Sequence, residues 1–261
     1  MGVDTETGET HRLDWRGTVV DCATCSHGDL KAEGHCVKGL ACVVDRRARI
    51  IDAFFRTNPD LSDSYLSHPY FEVRALAARY ANVFKLPAMI DDIDPEVRWM
   101  VSQRLPRAQI LRLRHDPDPK VRVGVANRLE DGDLVPLAND PDYYVRVTVA
   151  RRMNPAMLAL MMRDPDPQVR RQVARRIGND WLLTMVWDED PDVRIEVAHR
   201  LEPEQLGALA RDPDIRVRHV VAERIDAEHL TMMQDDTEEL VREVVRSRGP
   251  VASVIPLKQP E

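Results

Sequence analysis

A Val-Arg pair recurs along this chain at an unvarying interval of 24 residues: Val73-Arg74, Val97-Arg98, Val121-Arg122, Val145-Arg146, Val169-Arg170, Val193-Arg194, Val217-Arg218 and Val241-Arg242. Eight occurrences without an insertion or deletion leave few architectures open. A unit this short cannot bury its own apolar face, so identical units stack on one another, and the stretch 68–248 reads as a solenoid.

In the unit DPDPKVRVGVANRLEDGDLVPLAN, Asp116 stands where an N-cap belongs, Pro117 or Pro119 suits the first turn, and Val121, Val125 and Leu129 line one helix face. The aspartate recurs as Asp92, Asp140, Asp164, Asp188, Asp212 and Asp236, with His68 in its place in the first unit. A small residue such as Ala78, Ala126, Ala150, Ala174, Ala198 or Ala222 follows the second valine, which lets helices approach closely. Ser102 and Arg246 depart from it, and Arg246 suggests that the stack ends there.

The second half of the unit carries apolar pairs at i and i+3, namely Leu86/Met89, Ile110/Leu113, Leu134/Leu137, Leu158/Met161, Leu182/Met185, Leu206/Leu209 and Leu230/Met233. Side chains three apart align in a 3₁₀ turn. A first helix of about eleven residues leaves only about thirteen for two turns and a second element, and Pro136 within one copy opposes a long second helix.

The repeat resembles HEAT and armadillo units, but those are longer. At 24 residues it is instead similar to the leucine-rich repeat variant family, and the β-strand consensus of ordinary leucine-rich repeats is absent. That resemblance implies an all-α fold: a right-handed solenoid alternating α- and 3₁₀-helices.

All four cysteines fall in one short segment, Cys22, Cys25, Cys36 and Cys42. The polar, acidic start MGVDTETGETHRLDW is not expected to be a signal peptide, and confinement to C-x2-C-x10-C-x5-C then points to four thiolates on one metal centre. Structural zinc and a cubane iron–sulfur cluster both satisfy the ligand count. Zinc usually pairs two short knuckles, and only the first pair here is short, so the looser spacing suits the larger cluster. The leucine-rich repeat variant family also includes proteins with an N-terminal four-cysteine [4Fe-4S] module, which implies that cofactor, with zinc as the alternative. His27 and His35 flank the cysteines and read as surface or supporting groups. Gly28, Gly34 and Gly39 allow tight turns, and Lys31 and Lys38 stand nearby.

The expected division is a metal module over 1–45, a linking and capping helix over 46–67, repeats over 68–248 and a tail over 249–261. The run DRRARIIDAFF reads as a degenerate repeat with Ile50, Ala53 and Phe54 inward. The start, up to about Asp14, is expected to be mobile.

Two arginine ladders follow from stacking, Arg98 to Arg218 and Arg104 to Arg224 in steps of one unit. They could bind a polyanion, but acid and base recur in comparable number, so pairing with helix-start carboxylates such as Asp118, Asp142, Asp166 or Asp190 is the expectation. A formal charge of −7 disfavours nucleic acid as the partner. Trp99 with Met100 is either an anchor for a protein partner or packing against the next helix. No apolar run suits a membrane span, and cytoplasmic location is expected. No nucleophile motif or phosphate loop is evident, so no enzymatic activity is expected. The expected function is an interaction scaffold carrying a [4Fe-4S] cluster. The alternative is a redox or iron- or oxygen-sensing electron-transfer protein docked by its repeats. Proteins resembling this one are encoded near nitrogen-fixation genes, which implies partners in metallocluster assembly or electron supply.

Overall fold

The computed structural model describes residues 12–249. The start, for which mobility was the expectation, and the tail 249–261 therefore lie, apart from residues 12–14 and Gly249, outside the described residues. The chain divides into two compact units, Met1–Asp133 and Leu134–Glu261.

Both units alternate α-helices with 3₁₀ turns. In the first, the helix Ala48–Thr57 precedes the repeat helices Phe71–Tyr80, Pro95–Arg104 and Pro119–Ala126, with 3₁₀ pieces Pro59–Tyr65, Val83–Met89 and Leu111–His115 between or beyond them. In the second, the helices Tyr143–Arg152, Pro167–Ala174, Pro191–Arg200, Ile215–Arg224 and Glu239–Arg248 alternate with Pro155–Met161, Leu183–Met185, Pro203–Leu209 and Leu230–Met233. Some second elements open with a single α-turn, Arg107–Ile110 or Asn179–Leu182, before tightening to 3₁₀. Among the described residues β pairing is limited to isolated bridges. The fold is an all-α solenoid of α and 3₁₀ pieces.

The period explains the core. The valine of every Val-Arg pair, from Val73 to Val241, is wholly buried, as are Val101, Val125, Val149, Val173, Val197 and Val221 one turn later. The i, i+3 pairs from Leu86/Met89 to Leu230/Met233 are buried beneath them. The linking helix buries Ile50, Ile51, Phe54 and Phe55. Ala53 lies only half-buried, because the inward stripe is wider on the side of Ile51 and Phe55.

The helix caps differ from the expected ones by two residues. Asp94, Asp118, Asp142, Asp166, Asp190 and Asp214 are the N-caps, each accepting a backbone N–H from inside its helix. The aspartates expected to cap, such as Asp92 and Asp116, sit in the preceding turn. Each Oδ1 there accepts the N–H of the residue two positions on at 2.9 Å. The chain stays extended through both aspartates, as at Asp116 (ψ 140) and Asp118 (ψ 124), so only the second carboxylate reaches the helix start; Pro117, Pro141, Pro165 and Pro213 favour this path, and Ile93 and Glu189 hold the same place in two other repeats.

The first aspartate is thereby left to bind arginine. Arg74 pairs with Asp92, Arg98 with Asp116, Arg146 with Asp164, Arg170 with Asp188, Arg194 with Asp212 and Arg218 with Asp236. Each arginine also donates through Nη1 to two carbonyls of its own turn, as Arg98 does to Asp92 and Ile93. The second ladder takes no carboxylate at these contacts. Arg104 donates to the carbonyls of Ala78 at 3.0 Å and Ala81 at 2.5 Å, and Arg176, Arg200 and Arg248 reach Ala150, Ala174 and Ala222 in the same way. These carbonyls end the preceding repeat helix and lack intrahelical partners, so a cation from the next repeat satisfies them and complements the helix dipole. Both ladders are structural.

Candidate metal centre

The cysteine segment is a string of tight turns. Asp14 opens it by accepting the N–H groups of Arg16 and Thr18, with Gly17 at φ 84 between them. Asp21 accepts the Ala23 N–H at 2.8 Å and the Thr24 hydroxyl at 3.0 Å, which fixes the loop bearing Cys22 and Cys25. A short helix, Gly28–Ala32, then returns the chain, and the N–H groups of His35 and Cys36 both donate to the Leu30 carbonyl. Gly34 and Gly39 adopt φ 78 and 80, where a side chain would be strained. Gly28 needs no such freedom.

Cys36 and Cys42 are buried, and Cys22 and Cys25 are half-buried. None forms a disulfide. Burial pushes the Cys36 thiol up to about 12, reinforced by the charges of Cys42, Cys25 and Cys22, and Cys36 shares a hydrogen bond with Cys42. Cys42 is likewise raised by burial, although the backbone N–H groups of Val44 and Asp45 donate to its sulfur and favour the thiolate. All four thiols thus lie in one electrostatic neighbourhood. Among the described residues, no three His, Cys, Asp or Glu side chains stand at the spacing of ligands to a single metal ion. Four free thiols in one electrostatic neighbourhood, with Cys36 and Cys42 set in the apolar core, are a donor set that fits an iron–sulfur cluster.

The pocket wall comes from the linking helix and the 3₁₀ turn after it. Phe54 lies 5.4 Å from the His27 ring, and Phe55 lies 5.4 Å from Tyr65. The Tyr65 hydroxyl is hydrogen-bonded to His27 Nε2. Burial lowers the His27 pKa, and burial with the nearby Cys25, Cys36 and Cys42 charges pushes Tyr65 up to about 12. Both groups are therefore neutral at neutral pH. His27 is committed to Tyr65, while His35 is exposed beside Glu33. Asn58 ties the module down by donating to the His35 and Phe54 carbonyls, each at 2.9 Å. Trp15 stacks on Tyr70 at 5.8 Å. The sequence places Phe54 inward but carries no signal for Tyr65 or Asn58, since no periodicity links them to the cysteine segment.

Trp99 is half-buried, and a Cβ on Gly124 would stand 2.7 Å from its ring. Lys120 Nζ lies 5.0 Å from the ring centroid. Trp99 therefore packs on the next helix, which is the second of its two expected roles. No described helix is long and apolar enough to cross a membrane.

Residues 12–64 match a family described as "LRV protein FeS4 cluster", and residues 191–214 match "Leucine rich repeat variant". A solved structure titled "A leucine-rich repeat variant with a novel repetitive protein structural motif" is 41% identical, with TM-score 0.83, over 88% of this chain and 99% of that one. An "Uncharacterized 27.7 kDa protein in nifB 3'region" of Rhodobacter capsulatus is 50% identical over 96 residues. That match covers 37% of this chain and 39% of the relative.

Proposed function

Because the chain belongs to the leucine-rich repeat variant family and carries its iron–sulfur module, we propose that it is a non-enzymatic protein-interaction scaffold with a [4Fe-4S] cluster on Cys22, Cys25, Cys36 and Cys42. The observation that carries this reading is the gathering of four free thiols against one aromatic wall. When bound, such a cluster supplies one-electron exchange. The chain's own residues hold and shield it. The N–H groups of Val44 and Asp45 stabilise negative charge on the Cys42 sulfur, and Phe54, Tyr65 and His27 keep water from the buried side.

The working division assigns 1–45 to the metal module, 46–67 to the link, 68–248 to the repeats and 249–261 to the tail. The recurring carboxylates are consumed as caps and arginine partners, which supports a binding rather than a catalytic role. Reduced thiols suit the cytoplasm. The printed name of the Rhodobacter relative supports a link to nitrogen fixation or metallocluster assembly. Anaerobic co-purification of the full chain from its native cells should return a protein partner at constant stoichiometry. Recovery of no reproducible partner would overturn the scaffold reading.

A second reading has an observation of its own. Cys22 and Cys25 are half-exposed, so one side of the site faces the surface, as exchange of electrons with a docked protein or sensing of oxygen or iron requires. Reversible reduction within the range of cellular donors would favour it. Collapse of the cluster on reduction would count against it.

A further inference from the structure

The second unit bears a row of outward residues that its stacking chemistry does not use. The positions just before Asp164, Asp188 and Asp212 hold Arg163, Trp187 and Arg211 in successive repeats, all three exposed, while Asp235 holds that place before Asp236. Trp187 is 79% exposed, an unusual state for so large an apolar side chain. Trp181, 48% exposed, joins Arg163 and Trp187 in lining a cleft of about 500 Å³, and a smaller cleft of about 210 Å³ lies between Trp187 and Arg211.

Most of the charges around these clefts are already paired, with Arg170 shared between Asp188 and Glu189, and Asp235 lines a further cleft with Arg211. Asp164, Asp188 and Asp212 are each occupied by an arginine of the preceding repeat, and Glu189 is held by Arg170 at 3.0 Å. Arg163 and Arg211 have no ion pair among the described residues. Two free guanidinium groups thus flank an exposed tryptophan.

We infer that this face binds an acidic, extended protein segment carrying one aromatic residue between two carboxylates. The inference rests on the scaffold reading and names its docking surface. Charge complementarity selects the carboxylates, and Trp187 with Trp181 supplies the apolar anchor. Spacing selects the register. Stacked helices lie about 8–10 Å apart, and an extended chain rises about 3.3 Å per residue, so each carboxylate falls about three residues from the aromatic side chain. A single-stranded nucleic acid also offers rings and anions, but the chain's formal charge of −7 opposes a polyanion more than it opposes a segment with two carboxylates.

The test uses the full, cluster-loaded chain and the peptide Ser-Glu-Gly-Ser-Phe-Gly-Ser-Glu-Ser, followed by tryptophan emission. A saturable blue shift is expected, weakened at least tenfold when both glutamates become glutamine or the phenylalanine becomes glycine. The R163E/R211E variant should lose the glutamate peptide at least tenfold and gain its lysine counterpart, which separates recognition from unfolding. No saturable shift, or equal response of the variant to both peptides, would overturn the inference. So would a shift produced by oligothymidylate and not by the peptide. Each of these failures leaves the scaffold reading intact if native co-purification still returns a partner, and failure of co-purification removes that reading without deciding whether the peptide binds.

Discussion

Arg146 and Asp164 meet across a repeat boundary in a two-point pair, Nε to Oδ2 at 2.7 Å and Nη2 to Oδ1 at 3.0 Å. The same guanidinium donates to the carbonyls of Asp140 at 2.8 Å and Pro141 at 3.3 Å. One side chain thereby binds its own turn to the next. Buried charge is tolerated because its hydrogen-bonding capacity is nearly filled.

Loss of one member of this pair should cost far more than loss of a surface ion pair. Asp164→Ala leaves a buried guanidinium uncompensated, at about 3–5 kcal/mol. Arg146→Lys should also destabilise, since an ammonium group cannot reproduce the fork. Urea unfolding of the single variants and the Arg146→Met/Asp164→Leu double variant checks this, with the double expected to be milder than the sum of the singles.

Acid should dissolve the ladder in a defined window. Burial alone would raise the Asp92 and Asp236 carboxyls, but hydrogen bonds from Arg74 and Arg218 outweigh it and hold both below the usual carboxylate range. The unfolded chain then takes up protons first as pH falls. Their contribution is complete above the unfolded value of about 3.9 and disappears as pH drops through the lower folded values. Melting temperatures from pH 6 to 2 should fall below about pH 4, and more shallowly in Asp92→Asn/Asp236→Asn.

Gly124 should be intolerant of a methyl group. Its Cβ would meet Trp99 Cδ1 at 2.7 Å and Gln103 Nε2 at 2.9 Å. Gly124→Ala gains about 1 kcal/mol of helix propensity but overpacks the contact by about 1–3 kcal/mol. The net loss should be measurable by thermal unfolding and largely relieved by adding Trp99→Ala.

In the cluster-free chain, the thiols should alkylate in two classes. Cys36 and Cys42 are buried and their thiols raised, whereas Cys22 and Cys25 are partly open. Iodoacetamide at pH 8 followed by mass spectrometry should label Cys22 and Cys25 first. Uniform labelling would mean that the module is unfolded without its cofactor.

The repeat architecture was legible because its signal is periodic. Val121 and Val125 name the helix face, and Leu134/Leu137 name the 3₁₀ turn, without reference to distant residues. The cap assignment slipped because Asp116 and Asp118 are chemically identical in sequence. Only the extended path of the chain through the pair makes one a cap and the other an arginine acceptor, and the roles are the same where Ile93 or Glu189 stands in place of the proline. The pairing of Arg104 with backbone carbonyls left no mark in the sequence, since its partners at Ala78 and Ala81 are not side chains. The confinement of the four cysteines to one segment was plain from spacing, while the Tyr65 and His27 contact depends on folding over 38 residues that have no shared period.

If Cys22, Cys25, Cys36 and Cys42 jointly hold a cubane of iron and sulfide, as proposed, elemental analysis shows it directly. Protein purified without oxygen should contain about four iron and four acid-labile sulfide per chain, with broad visible absorption that disappears in Cys36→Ser. One zinc per chain with no sulfide would contradict it.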